Sequence, residues 1–238
     1  MDYSSYDKIE EGYYDKAMSE GNIIQRVWHK NRFNEIRKQF SKKGTVLDLG
    51  CGPGSLLAFL SPVIEKGVGV DIAKKQIHFA SKKFEDNQKL KWICSNALNL
   101  NPHEKFDYII IGEFIEHISF TDSVYLLRKV KELLKNTGRC IITTPNYNSL
   151  WPIIEILLSK IGPIDYTKQH INKLNLKKIQ NLMKKEGFYI HTKYTFNVIS
   201  PFLSIFSVSL AKLVYPIENK LFPFGGSEIL INAGIKNE

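Results

Sequence analysis

The stretch that most constrains this chain is Gly44 to Leu57, GTVLDLGCGPGSLL. Thr45 to Leu49 is a short apolar run, long enough for a buried strand. Gly50, Cys51, Gly52, Pro53 and Gly54 cannot continue it. Ser55 stands as an N-cap before Leu56, Leu57, Phe59 and Leu60, the apolar positions of an amphipathic helix. Strand, glycine turn and helix form the first half of a nucleotide-binding β-α-β unit. A second small apolar strand, Gly67 to Val70, ends in Asp71. An acid there is placed to accept hydrogen bonds from both hydroxyls of a ribose. The expected ligand is a nucleoside at the carboxyl ends of the first two strands.

The turn also says which nucleoside. A dinucleotide fold wants glycine at its first, third and sixth positions, but here the sixth is Ser55. Asp48, two residues before the first glycine, would repel a pyrophosphate and favour a cation. S-adenosylmethionine is such a nucleoside, with a sulfonium and an ammonium. VLDLGCGPG followed by VGVD resembles the cofactor motifs of the class I S-adenosylmethionine-dependent methyltransferases. That resemblance implies an α/β fold: a Rossmann-like seven-stranded sheet with helices on both faces. It implies a cofactor set of Asp48, Gly50, Cys51, Gly52, Gly54, Asp71, Ile72, Ala97, Gly112 and Glu113. Two more positions come with it: Arg32, where relatives reach the cofactor carboxylate, and Asn96, which would accept from the adenine amino group in place of the usual Asp.

The chain has 238 residues, of which 43% are hydrophobic, enough for one large packed domain. Its 33 Lys and Arg exceed 24 Asp and Glu, a net charge of +9. The lysines are scattered with no basic run between aromatics, which argues against nucleic acid and for a solvated surface. Cys51, Cys94 and Cys140 form no CxxC pair, so neither zinc nor a disulfide framework is indicated. The polar, acidic start MDYSSYDKIEEGYYDK is not a secretory signal, and a reduced cytoplasmic compartment is the expectation.

In order, residues 1–43 read as an arm and helix, and 44–238 as the methyltransferase domain. Met1 to Asp15 is expected to be a loose arm, and Met18 to Phe40 a helix. Further helices are expected over Ala73–Phe84, over Ser123–Leu134 with Thr121-Asp122 as cap, and over Lys177–Glu186. Strands are expected at Leu90–Cys94, Phe106–Ile111, Arg139–Thr143, Phe188–Phe196 and Ser227–Ile235, with Asn136-Thr137-Gly138 ending the helix before the fifth. Two apolar stretches, at about 150–164 and 200–224, interrupt the pattern and form a C-terminal cap.

Methyl transfer needs alignment, exclusion of water and, for a hydroxyl acceptor, a base. Glu116-His117 after the fourth strand is the first catalytic candidate, and His170, in a polar loop, is the second. Glu113, Glu116 and His117, with Thr144-Pro145-Asn146, resemble the O-methyltransferases of ubiquinone biosynthesis. That resemblance implies that Glu113 and Glu116 would accommodate a divalent metal such as Mg, though nothing in the sequence demands one. The apolar stretches are too short to span a bilayer. They either cap the site or lie in a membrane interface, with Trp151, Lys160, Lys212 and Tyr215 at headgroup level. Both readings favour a hydrophobic or lipid-linked small-molecule acceptor. The expected activity is O-methylation of an aromatic or prenylated molecule. Methylation of a sugar, nitrogen or carbon acceptor, and a non-catalytic nucleoside-binding scaffold, remain the alternatives.

Overall fold

A computed structural model describes residues 9–101, 104–161 and 165–235. The expected apolar runs become seven strands: β1 (Thr45–Leu49), β2 (Lys66–Asp71), β3 (Leu90–Cys94), β4 (Phe106–Gly112), β5 (Leu134–Pro145), β6 (Phe188–Phe196) and β7 (Glu228–Ile235). They form one sheet in the order β3-β2-β1-β4-β5-β7-β6. The first five are parallel, and β7 runs antiparallel between β5 and β6. The order reverses between β1 and β4, and the crevice beyond those strands' carboxyl ends is where an open α/β sheet binds ligands.

Helices α1 (Tyr13–Ser19), α2 (Ile23–Arg37), α3 (Ser55–Leu60), α4 (Lys74–Lys83) and α5 (Phe120–Leu133) precede β5. Helices α6 (Trp151–Ile161), α7 (Tyr166–Gln169), α8 (Leu176–Lys185), α9 (Ser200–Leu203) and α10 (Val208–Leu221) follow it. Strand residues alternate between two cores. Leu47, Ile109, Ile111 and Ile142 pack with Leu126, Leu127 and Val130 of α5. Val46, Ile110, Ile141 and Leu230 pack with Phe33 and Ile36 of α2 and Leu57 of α3.

Four local expectations are corrected. The N-cap of α3 is Gly54, while Ser55 is helical and donates from its hydroxyl to Asp15 Oδ1 at 2.7 Å. Helix α5 starts three residues early, because Ser119 Oγ accepts from Asp122 N at 3.0 Å and outcompetes Thr121-Asp122 as cap. Asn136-Thr137-Gly138 is not a break: α5 runs directly into β5, which absorbs those residues with a shifted register against β4. The described part of the arm is docked. Gly12 N donates to Gln76 Oε1 at 3.2 Å, and Gln76 Nε2 donates to Glu10 O at 2.9 Å. Asp15 pairs with Lys83, so a chain end with little apolar content is held by polar contacts to α4. Residues 1–8, and 162–164 of the first apolar stretch, lie outside the described residues. The second apolar stretch is two helices, because Ser207 caps α10 by accepting from Leu210 N.

The glycine turn has two kinds of glycine. A Cβ on Gly54, at φ +79°, would lie 2.4 Å from the Trp92 ring, whereas one on Gly52, at φ +51°, would meet nothing within 4 Å. Gly54 is thus a packing position and Gly52 faces open space where a ligand would lie. Gly54→Ala should cost more than about 2 kcal/mol by urea denaturation, from clash plus left-handed strain. Gly52→Ala should cost only about 1 kcal/mol, with its main loss in ligand affinity.

Candidate active site

A cavity of about 400 Å³ opens beyond β1, β2 and β4. Of the residues singled out in the sequence, Arg32, Asp48, Gly50, Cys51, Gly52, Asp71, Ile72, Asn96, Ala97, Gly112, Glu113, Glu116, His117 and His170 all line it. Gly54 does not; it sits behind the turn against Trp92.

The inner end is acidic. Asp71 accepts from Gly52 N and Ala73 N, each at 2.8 Å, one bond per carboxylate oxygen. Each oxygen keeps a second lone pair, enough to take two ribose hydroxyls. Asp48 is buried, and burial together with the charge of Asp71 pushes its carboxyl up to about 7. Asn96 Oδ1 accepts from Leu98 N at 2.9 Å, so it braces the turn after β3 as well as facing the cavity. Glu113 holds φ +52°, a strained backbone for a residue with a Cβ. Arg32 Nη1 lies 3.7 Å from Glu113 Oε2 and 3.7 Å from Glu228 Oε1.

The outer end brings together the two catalytic candidates. Glu116 Oε2 accepts from Thr144 Oγ1 at 2.9 Å, while its buried Oε1 has no hydrogen-bond partner. Burial, reinforced by the charge of Glu113, raises the Glu116 carboxyl well above the usual range. His117 Nδ1 lies 3.3 Å from the carbonyl of Gln169. A carbonyl only accepts, so Nδ1 carries the proton and Nε2 the lone pair. His170 is buried, correcting the expectation of a polar loop, and its ring lies 4.9 Å from that of His117. His170 Nδ1 lies 2.6 Å from Glu155 Oε1 and 3.1 Å from the Tyr147 hydroxyl, which also bonds Glu155. Burial lowers His117 to about 3 and His170 to about 4, so both imidazoles are neutral at pH 7.

One donor atom each from Glu116, His117 and His170 lies within 4.8 Å of the others. An orphaned buried carboxylate oxygen beside two neutral imidazoles fits a divalent cation. Imidazole nitrogen suits manganese, iron or zinc better than magnesium, which prefers oxygen ligands.

The sequence did not single out Glu155, Tyr147, Glu228 or Trp28. Glu228 is fully buried, accepts from Trp28 Nε1 at 2.7 Å and Asn197 Nδ2 at 2.8 Å, and so fixes the acid beside Arg32. The available signal for Glu155 was a single acid inside the apolar run LWPIIEILLS, which faces either solvent or a buried partner; the structure shows the second, with His170.

The raised Asp48 has a consequence for stability. Its folded pKa, about 7, exceeds the unfolded carboxylate value, so the folded state holds the proton more tightly. Its contribution is complete below about pH 4 and is lost as pH rises through 7. Urea denaturation of wild type and Asp48→Asn should show the variant gaining relative stability across that window, and a flat difference would contradict the assignment.

The methyltransferase domain family profile matches residues 22–193. A ubiquinone biosynthesis O-methyltransferase from Bradyrhizobium diazoefficiens is 32% identical over 105 residues, covering 43% of this chain and 40% of that protein. A small RNA 2'-O-methyltransferase from Schizosaccharomyces pombe is 27% identical over 136 residues, covering 50% of this chain and 36% of that protein. The chain thus spans about two fifths of the length of these curated relatives. Among solved structures, the N-methyltransferase NodS from Bradyrhizobium japonicum, in complex with S-adenosyl-L-homocysteine, superposes with a TM-score of 0.67 at 12% identity, covering 99% of this chain and 98% of that one. Sheet order, glycine turn and profile match agree: the chain belongs to the methyltransferase domain family, in its class I, S-adenosylmethionine-dependent form.

Proposed function

We propose that this chain transfers a methyl group from S-adenosylmethionine to a hydroxyl of a hydrophobic aromatic or prenylated small molecule. The observation that carries this is that Glu116, His117 and His170 line one cavity together with two unlike sets of residues: the acids Asp48, Asp71 and Glu113, and the apolar Trp151, Ile154, Leu157, Leu158 and Phe202. The sulfonium supplies an activated methyl group when bound. Asp48 and its neighbours favour the cation, Asp71 takes the ribose, and Asn96 and Ala97 border the adenine. Arg32 is the cation for the cofactor carboxylate, held between Glu113 and Glu228. The apolar wall orients the acceptor and excludes water, and that placement accounts for most of the catalysis.

Glu116 holds the hydroxyl in line by a hydrogen bond, and the neutral imidazole of His117 takes its proton. A divalent cation held by Glu116, His117 and His170 would stand in place of that base, by lowering the pKa of the hydroxyl. Glu155 fixes His170 with the lone pair on Nε2, as a carboxylate does for a metal-bound or basic imidazole. Two relatives named above act on oxygen by name, which supports oxygen over nitrogen or carbon. The three cysteines are unpaired, as a reducing compartment such as the cytoplasm would keep them.

The test is a coupled assay for S-adenosylhomocysteine across catechol, prenylated-phenol, sugar and amine acceptors. Turnover confined to sugars or amines would overturn the acceptor, and no calorimetric heat with S-adenosylhomocysteine would leave only a scaffold. Glu116→Gln or His117→Ala should lower kcat about 100-fold or more, with S-adenosylhomocysteine affinity unchanged. Glu155→Ala should cost about 10- to 100-fold, again in kcat. Dialysis against a chelator should abolish turnover if the cluster holds an ion, with manganese restoring more than magnesium.

A further inference from the structure

No helix among the described residues is long and apolar enough to cross a membrane. Yet the apolar surface is unevenly placed. Of the 18 exposed large hydrophobic residues among the described residues, 14 lie within 150–157 and 199–224, the two caps. On α10, Leu210, Leu213, Ile217 and Leu221 recur at three- and four-residue steps and are all exposed, while Ala211 and Glu218 face inward. Phe206, at 82% exposed, opens this stripe, and Phe222 and Phe224 extend it. On α6, Ile153, Ile156 and Leu157 are exposed in the same way. Clusters of this kind on a monomer mark an interaction surface.

The charges on these helices identify the partner. Helix α6 has one acid, Glu155, and α10 has one, Glu218; both are turned inward, at 2% and 3% exposure. Glu218 accepts from the amides of Val198, Ile199 and Ser200, and from the Ser200 hydroxyl at 2.6 Å, clamping α10 onto α9. The outward charges of both helices are therefore all lysine: Lys160, Lys212 and Lys220. An apolar stripe flanked only by lysine is complementary to an anionic lipid surface. The expected headgroup anchors Trp151 and Tyr215 are not among them. Trp151 is buried against Trp28, and the Tyr215 hydroxyl donates to Glu35 at 2.8 Å. The face also borders the cavity: Leu157 is half-exposed and lines it, and Trp151 and Phe202 pack on the same indole, that of Trp28.

We propose that α6 and α9–α10 form one docking face for an anionic bilayer, through which a lipid-linked acceptor enters the cavity. The delivery step rests on the function proposed above; the docking does not. Vesicle flotation tests it, with phosphatidylcholine vesicles with and without phosphatidylglycerol. Leu213→Glu/Ile217→Glu and Lys212→Gln/Lys220→Gln are the probes, since none of these residues lines the cavity. S-adenosylhomocysteine titration reports that each variant is folded. Wild type should float with the phosphatidylglycerol vesicles and lose partition as salt rises. Each lysine neutralised should lower partition about fivefold, and Leu213→Glu/Ile217→Glu should abolish it with nucleoside affinity intact. The proposal is overturned if wild type floats with neither vesicle, or if Leu213→Glu/Ile217→Glu floats like wild type. It is also overturned if sedimentation shows a dimer that this variant splits while neither protein binds vesicles. Absence of wild-type flotation with preserved turnover of a soluble catechol would sink the docking alone. Flotation without turnover of any acceptor would sink the functional reading alone.

Discussion

The site depends on an imbalance of buried charge. Asp48, Asp71, Glu113 and Glu116 face one cavity, Glu228 stands behind them, and among the described residues lining that cavity Arg32 is the one guanidinium or ammonium. Ionised carboxylates so placed cannot all be balanced by a single cation. The protein answers by raising their pKa: burial and a neighbouring acid push Asp48 up to about 7 and Glu228 up to about 8. A cation entering this cavity relieves the strain, so selectivity for a sulfonium over a pyrophosphate is a property of the whole pocket. The chain as a whole carries a net charge of +9, yet this cavity is lined by acids.

The caps show the same economy of acids. Each has one glutamate, and each turns it inward to hold a structural contact, Glu155 with His170 and Glu218 with the start of α9. Glu155 thus ties the first cap to His170, Glu218 braces the second cap internally, and the Tyr215 hydroxyl joins that cap to Glu35 of α2, while their apolar faces stay uncovered. A cap held by apolar packing alone would have had to bury those faces. On the function proposed above, the arrangement couples acceptor wall and chemistry, since α6 carries both Leu157, which lines the cavity, and Glu155, which bonds His170.

Much of this was legible in the sequence because its signals are local. Alternating apolar runs gave strands, and a carboxylate two residues before a glycine turn gave the charge of the ligand. One miss was local: Ser119-Phe120-Thr121-Asp122 is itself an N-cap pattern, and Ser119 outranked Thr121-Asp122 by accepting from Asp122 N. The others were long-range. His170 sat in polar text but folds under Trp151 and beside His117, because α6 closes over it. Glu228 opens a strand whose partner, Trp28, is 200 residues away. Single acids in apolar runs were the overlooked class; burial makes each of them a commitment to a partner.

The protonation states at the outer end fit the charge that the reaction moves. Before transfer, the acids at the cavity face a positive sulfonium. Afterwards that charge is gone and, for the hydroxyl acceptor proposed above, a proton has come off. A strongly basic group nearby would have competed for proximity to the cation, and a permanently ionised carboxylate would be stranded once the cation was neutralised. Neutral imidazoles at His117 and His170 avoid the first problem. A Glu116 whose pKa is raised by burial and by Glu113 avoids the second, because its neutral form is favoured and leaves no uncompensated charge once the sulfonium is gone. The same burial that makes an ionised carboxyl costly here therefore suits a site whose cationic ligand becomes neutral when the methyl group moves.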